Sequence, residues 1–169
     1  ELVLTTLSDN TARIWNTDGE ELTRLVGHKD GVTAAAFSSD GRLVVTGSLD
    51  GTAMVWSLPA GQPILTLKGH SGPLTGVEFS AESRSIVTAS RDRTARIWRV
   101  EDGVERVTLE GHSAGLSSAS FSPNGVYVVT ASAADHTVRL WDADTGRELT
   151  ELTGKRGTGV ANRVPTSAV

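Results

Sequence analysis

Three sets of side chains carry the ingredients of nucleophilic catalysis: His28, Thr46 and Asp50; His70, Thr88 and Asp92; and His112, Thr130 and Asp135. Each joins a hydroxyl, an imidazole and a carboxylate. Their recurrence argues against catalysis, because an enzyme has little use for three such sites on one face. Metal binding is served no better, since two ligands per set leave a tetrahedral shell incomplete. The chain has no cysteine, so thiolate metal sites, cysteine nucleophiles and disulfides are excluded. The run Gly154-Lys155-Arg156-Gly157-Thr158-Gly159 is glycine-rich like a phosphate loop. Its spacing does not fit such a loop, and no strand-then-helix pattern surrounds it. No catalytic residue, metal site or cofactor is therefore expected.

The sets are phased with a longer repeat. Trp15, Trp56, Trp98 and Trp141 follow one another at 41, 42 and 43 residues. Phe37, Phe79 and Phe121 recur at 42 and 42, as do Gly27-His28, Gly69-His70 and Gly111-His112. Every tryptophan stands six residues after an aspartate: Asp9, Asp50, Asp92 and Asp135. Thr5, Thr46, Thr88 and Thr130 stand four residues before that aspartate, five in the last copy.

Short elements must position these residues. In the second unit, apolar and β-branched runs cover 32–37, 43–47, 52–57 and 64–67. Turn residues separate them at Ser38-Ser39-Asp40-Gly41, Leu49-Asp50-Gly51 and Pro59-Ala60-Gly61. Such spacing predicts an all-β chain of antiparallel strands, with no sustained helical period. Composition agrees: 38% hydrophobic and 21% charged residues are ordinary for a globular chain. The net charge is −4 and the basic residues are dispersed, which argues against a nucleic-acid partner. Apolar runs of only a few residues exclude a helical membrane span. A cytoplasmic location is expected, in keeping with the absence of cysteine. The chain opens at Glu1 without a methionine, so a leader removed earlier stays open.

Gly27-His28 … Ser48-Leu49-Asp50-Gly51-Thr52-Ala53-Met54-Val55-Trp56 resembles the WD (WD40) repeat. So do Gly69-His70 … Ser90-Arg91-Asp92-Arg93-Thr94-Ala95-Arg96-Ile97-Trp98 and the copy ending Asp135-His136-Thr137-Val138-Arg139-Leu140-Trp141-Asp142. The likeness covers roughly residues 1–153, and only Trp141-Asp142 is literally Trp-Asp. Asn16, Ser57 and Arg99 follow the other tryptophans. The resemblance implies a β-propeller of four-stranded antiparallel blades, about four in this chain, with residues 1–169 as one repeat region.

The repeated polar sets then have a structural use. A hairpin turning near Asp50 is expected to bring Trp56 opposite residues 45 and 46, within reach of the Thr46 hydroxyl. That hydroxyl is placed to meet His28, whose other nitrogen is placed to donate to Asp50. Buried polar groups need partners, and a connected network stiffens each blade. WD repeats carry such a tetrad, and the resemblance transfers it to His28, Thr46, Asp50 and Trp56; to His70, Thr88, Asp92 and Trp98; and to His112, Thr130, Asp135 and Trp141. In the first copy only Thr5, Asp9 and Trp15 are present. Ser48, Ser90 and Ser132 are rival hydroxyls, but Leu7 holds that place in the first copy, which favours threonine.

The ends raise a question of assembly. The chain opens on what reads as the second strand of a blade. Residues 154–169 read as a degenerate closing segment or a tail, with Lys155 in the histidine's place. A closing tail would pair with residues 2–6. Four blades are few for a closed ring, so the region is either part of a longer polypeptide or half of an eight-bladed ring made by two chains. A ring of four alone is a third option.

The resemblance also implies a partner-binding face at the loops that carry histidine and aspartate. The candidate residues are Thr33, Thr75, Ser117, Leu49, Arg91 and Ala134, with Ser8 in the first copy. None is aromatic, and Arg91 is the only charged one. Arg13, Arg96 and Arg139 are expected to be exposed strand residues with their stems between blades. A non-catalytic scaffold for protein partners follows, as a regulatory or sensing region of a larger or oligomeric signalling protein. The alternative is a propeller enzyme with a central-channel site, for which Glu78 is the only acidic residue on the channel-lining stretches.

Overall fold

The computed structural model describes residues 1–153; the closing pairing of 154–169 and the place of Lys155 lie outside the described residues. Among those described there is no helix, and the strands form four antiparallel sheets in chain order. The first holds β1 (Leu2–Thr6), β2 (Thr11–Asn16) and β3 (Glu21–Val26). The second holds β4 (Val32–Phe37), β5 (Leu43–Ser48), β6 (Ala53–Ser57) and β7 (Gln62–Leu67). β8 (Leu74–Phe79), β9 (Ser85–Ser90), β10 (Thr94–Arg99) and β11 (Glu105–Glu110) make the third. β12 (Ser118–Phe121), β13 (Tyr127–Ser132), β14 (Thr137–Asp142) and β15 (Glu148–Thr153) make the fourth. The all-β architecture thus stands as expected, with sheets in a row rather than in a closed ring. Among the described residues the first sheet has three strands, in the places of the second, third and fourth strands of the other sheets.

Local sequence explains each hairpin. The residue after each repeated aspartate has positive φ: Asn10 at 70°, Gly51 at 81°, Arg93 at 76° and His136 at 62°. Only Gly51 adopts that conformation without a steric cost. Each sheet also shifts register beside its tryptophan, at Ile14/Trp15, Val55/Trp56, Ile97/Trp98 and Leu140/Trp141. A bulge of this kind re-aims a side chain. The outer strand β7 begins at Gln62, two residues before its apolar run, and takes in Pro63. An edge strand tolerates proline because the missing N–H faces no neighbour.

The core lies between sheets. Ala12, Ile14 and Leu25 of the first pack on Val44, Met54 and Trp56 of the second. Val45, Val55 and Leu67 pack on Leu74, Val77, Phe79 and Trp98, and the third meets the fourth in the same way. Residue size is matched across these contacts. A Cβ on Gly47 would stand 2.7 Å from Val77 Cγ1, whereas Ala89, one repeat on, shares its cluster with the smaller Ala119. Gly47→Ala is therefore expected to destabilise by about 1–3 kcal/mol through overpacking. Adding Val77→Ala should recover part of that loss, measured as a double-mutant cycle in urea; additive losses would refute the match.

Candidate functional site

In each of the last three sheets one hydrogen-bonded chain runs from an indole to a carboxylate. Trp56 Nε1–H donates to Thr46 Oγ1 at 2.8 Å, Thr46 lies 2.7 Å from His28 Nε2, and His28 Nδ1 lies 3.2 Å from Asp50 Oδ2. Around Trp98, Thr88, His70 and Asp92 the distances are 2.9, 2.8 and 2.7 Å. Around Trp141, Thr130, His112 and Asp135 they are 2.7, 2.8 and 2.8 Å. An indole only donates and a carboxylate only accepts, which orients the whole chain. The threonine hydroxyl donates to Nε2, and a neutral imidazole carries its hydrogen on Nδ1 toward the aspartate. The threonine hydroxyls also accept the indole N–H and are buried, Thr46 and Thr88 fully and Thr130 to 1% exposure.

The register differs from the expected one. Trp56 stands opposite Val44, and Thr46 opposite Met54. Residues 49–52 form a longer turn than a tight hairpin, and the indole reaches its threonine diagonally along the sheet face. The rival serines serve the turns instead, where Ser48 and Ser90 accept the N–H of Asp50 and Asp92.

The glycine of each Gly-His pair makes room for the indole. A Cβ on Gly27, Gly69 or Gly111 would lie 3.0–3.2 Å from the Cη2 of Trp56, Trp98 or Trp141. The repeated threonine two residues after aspartate is a contributor that the search for nucleophiles misses. Thr52, Thr94 and Thr137 each donate backbone N–H and hydroxyl to the aspartate, at 2.9 and 2.7, 3.0 and 2.7, and 2.9 and 2.8 Å. Its signal is the Asp-x-Thr spacing in all four copies.

These contacts set protonation. Burial lowers the pKa of His28 and His70 against the opposing pull of their aspartates. Burial would raise Asp50 and Asp92, but donors led by Thr52 and Thr94 overcome it and hold both low. Asp135 is likewise depressed despite burial, by His112 and Thr137. For both residue types the unfolded chain takes up protons first on acidification, so both contributions are lost as pH falls. Unfolding free energy should stay level from about pH 8 to 7, decline below about 6.5 and fall faster below about 4. Urea midpoints across that range check this; stability rising on acidification would contradict it.

The first sheet keeps only part of the arrangement. Trp15 Nε1–H donates to Thr5 Oγ1 at 2.8 Å, while Asp9 binds Thr11 and Arg13 at 2.5 and 2.7 Å. Arg13, Arg96 and Arg139 are not the exposed residues expected: their side chains are 15–22% exposed. They pair within their own sheets with Glu21, Glu105 and Glu148 at 3.2, 2.5 and 2.6 Å. The second sheet lacks both partners, with Met54 and Pro63 in their places.

Thr33, Ser117, Leu49, Arg91 and Ala134 are exposed and Thr75 is half-buried. Leu49, Arg91 and Ala134 lie on the turns after β5, β9 and β13, at the end of the sheets that carries the histidine loops. Two hydroxyls are committed internally. Thr33 donates to the carbonyls of Gly47 and Leu74 at 3.1 and 2.8 Å, and Ser117 Oγ accepts Ala133 N–H at 3.0 Å. Arg93 and His136 are also exposed on these turns. A cleft of about 440 Å³ lies instead at the opposite end, lined by Arg84, Arg106, Phe121 and Asp144 among others. Among the described residues no three His, Asp or Glu side chains gather as a metal site.

A family model described as "WD domain, G-beta repeat" matches residues 19–57, 61–99 and 103–142, more than half of the chain. The chain belongs to the WD repeat family. Its four sheets are WD blades, and the polar chains pin each of the last three internally. Human angio-associated migratory cell protein is 41% identical over 64 residues, covering 37% of this chain and 15% of that protein. Rice small ribosomal subunit protein RACK1y is 40% identical over 55 residues, 32% of this chain and 16% of that protein. Periodic tryptophan protein 2 of Saccharomyces cerevisiae is 43% identical over 58 residues, 32% of this chain and 6% of that protein. The matched segment thus spans a small part of each relative's length. WD repeats generally serve as scaffolds for protein interaction.

Proposed function

We propose that this WD repeat chain is a non-catalytic scaffold that holds a protein partner at the turns bearing Leu49, Arg91 and Ala134. The observation that carries it is that the hydroxyl of each set accepts an indole N–H and is buried, Thr46 and Thr88 fully and Thr130 to 1% exposure, out of a substrate's reach. What remains for recognition is the row of turn residues at one end, with Leu49 41% exposed and Arg91 beside it in the next blade. A net charge of −4 favours a protein over a nucleic-acid partner. The name of the rice relative, a small ribosomal subunit protein, supports membership of a larger assembly. In this reading the repeats are the regulatory or sensing region of a larger or oligomeric signalling protein in the cytoplasm.

The test places a photo-crosslinking residue at Leu49, Arg91 or Ala134, with Ile64 on an outer strand as control. Crosslinks to a protein from the turns, weakened about tenfold by Arg91→Glu, are expected. Equal labelling from Ile64 would sink the assignment of the face. Metal-dependent hydrolysis of ester or phosphate substrates, abolished by Glu78→Gln, would instead favour the enzyme.

A further inference from the structure

Two successive blade junctions differ at the end away from the histidine loops. Between the second and third blades the turn residues Ser39 and Ser83 tie the sheets together. Ser39 N–H donates to Ser83 Oγ at 2.9 Å, and the two hydroxyls lie 2.9 Å apart. Their counterparts at the next junction, 42 residues on, are Ala81 and Gly125, which have no hydroxyl to join. The cleft of about 440 Å³ opens there, between the third and fourth blades. At the bridged junction Phe79 is 6% exposed. The corresponding Phe121 is half-buried and lines the cleft with Ile97 and Ala143.

Two polar groups of the lining are left with unspent hydrogen-bonding capacity. Ser80 is 9% exposed, and its hydroxyl accepts Ser85 N–H at 3.1 Å. The corresponding Ser38 and Ser122 also donate, to Asp40 and Asn124, both at 2.7 Å. Glu82 takes that place beside Ser80, but its carboxylate pairs with Arg84 at 3.1 Å. Among the described residues the Ser80 hydroxyl hydrogen therefore has no acceptor. Asp142 is the second group. Its Oδ1 accepts Asp144 N–H at 3.2 Å and the N–H and hydroxyl of Thr145 at 2.8 and 2.7 Å. These donors, led by the Thr145 hydroxyl, hold its pKa below the ordinary carboxylate value. Its Oδ2 has no partner among the described residues. Arg106 is taken by Asp144 at 3.0 Å, as Arg84 is by Glu82, so Asp142 is the carboxylate of the lining without a guanidinium. Asn16, Ser57 and Arg99 follow the other tryptophans, and no other blade has an acid there.

We infer that this cleft receives an arginine or lysine side chain from an extended segment of a protein partner. The aliphatic stem lies along Phe121 and Ala143, the cationic head meets Asp142, and Ser80 donates to a backbone carbonyl of the segment. A long basic side chain joins an apolar stem to a charged head, which is the combination this lining offers. The volume lies in the range of ligand pockets. An anionic segment meets the excess carboxylate, and binds the arginines only after their own ion pairs open. The site lies at the opposite end from the turns bearing Leu49, Arg91 and Ala134 and stands independently of them.

Titrating the isotope-labelled 169-residue chain with the peptide acetyl-Ser-Val-Arg-Val-Ser-amide should give saturable amide shifts at Ala81, Gly125 and Ala143. The dissociation constant should be on the order of 100 µM. Glutamate in place of the peptide's arginine should abolish the shifts. Asp142→Asn should weaken binding about tenfold. Its urea midpoint should stay unchanged, because Asn16 accepts turn N–H groups at the corresponding position of the first blade. Ser80→Ala should weaken binding about threefold. Ala81→Ser combined with Gly125→Ser restores the bridge and should exclude the peptide. The backbone permits it, since Ser83 already holds a φ of 55° where Gly125 has 71°. Arg91→Glu should leave peptide binding unchanged, which separates this result from failure of the turn face. Absence of saturable shifts, equal or tighter binding of the glutamate peptide, or full affinity in the Asp142→Asn or bridged variant would overturn the assignment.

Discussion

Trp56→Ala is expected to cost about 3–5 kcal/mol of stability, the range for removing a fully buried large aromatic. The indole is completely enclosed between the first and second blades, against Ala12, Ile14 and Leu25. Its loss leaves a cavity there and frees Thr46 from its donor. Gly27 deepens the effect, because no side chain at that position stands ready to fill the space. The same change at Trp15, only partly buried, should cost clearly less. Chemical unfolding with a two-state fit compares the pair; equal losses would mean that blade stacking is not what buries the indole.

Thr88→Val is the sharper test of the polar chain, since it keeps shape and removes only the hydroxyl. Trp98 Nε1–H then loses its acceptor at 2.9 Å and His70 Nε2 its donor at 2.8 Å, with Trp98 buried and the His70 side chain 2% exposed. Leaving two buried groups unpaired costs about 2–5 kcal/mol together. Thr5→Val, where the indole is partly wet and no histidine follows among the described residues, should cost about 1 kcal/mol or less. A small loss at Thr88 would show that the chain of donors adds little beyond packing.

The spacing of tryptophan, aspartate and Gly-His locates the blades well, because a period near 42 residues leaves little freedom once each unit must make four strands. Finer geometry is hidden. The offset of Trp56 from its assumed partners arises from the four residues 49–52 of the turn, whose length no composition reveals. Arg96 reads as solvated because its partner Glu105 belongs to a strand whose register depends on a bulge beside Trp98. Pro63 disguises the start of β7, since proline reads as a break unless the strand is known to be an edge. Thr52 escapes for a different reason. A hydroxyl two residues past an aspartate closes a turn, and attention to nucleophiles passes over it.

The graded burial along the row has a dynamic consequence. Val45 and Val87 lie in blades flanked on both sides, Val3 and Val129 in blades flanked on one. In a chain of nearest-neighbour modules, local opening is easiest where a module has a single neighbour. Among the described residues, amide protons of β5 and β9 should therefore exchange with deuterium more slowly than those of the corresponding strands β1 and β13.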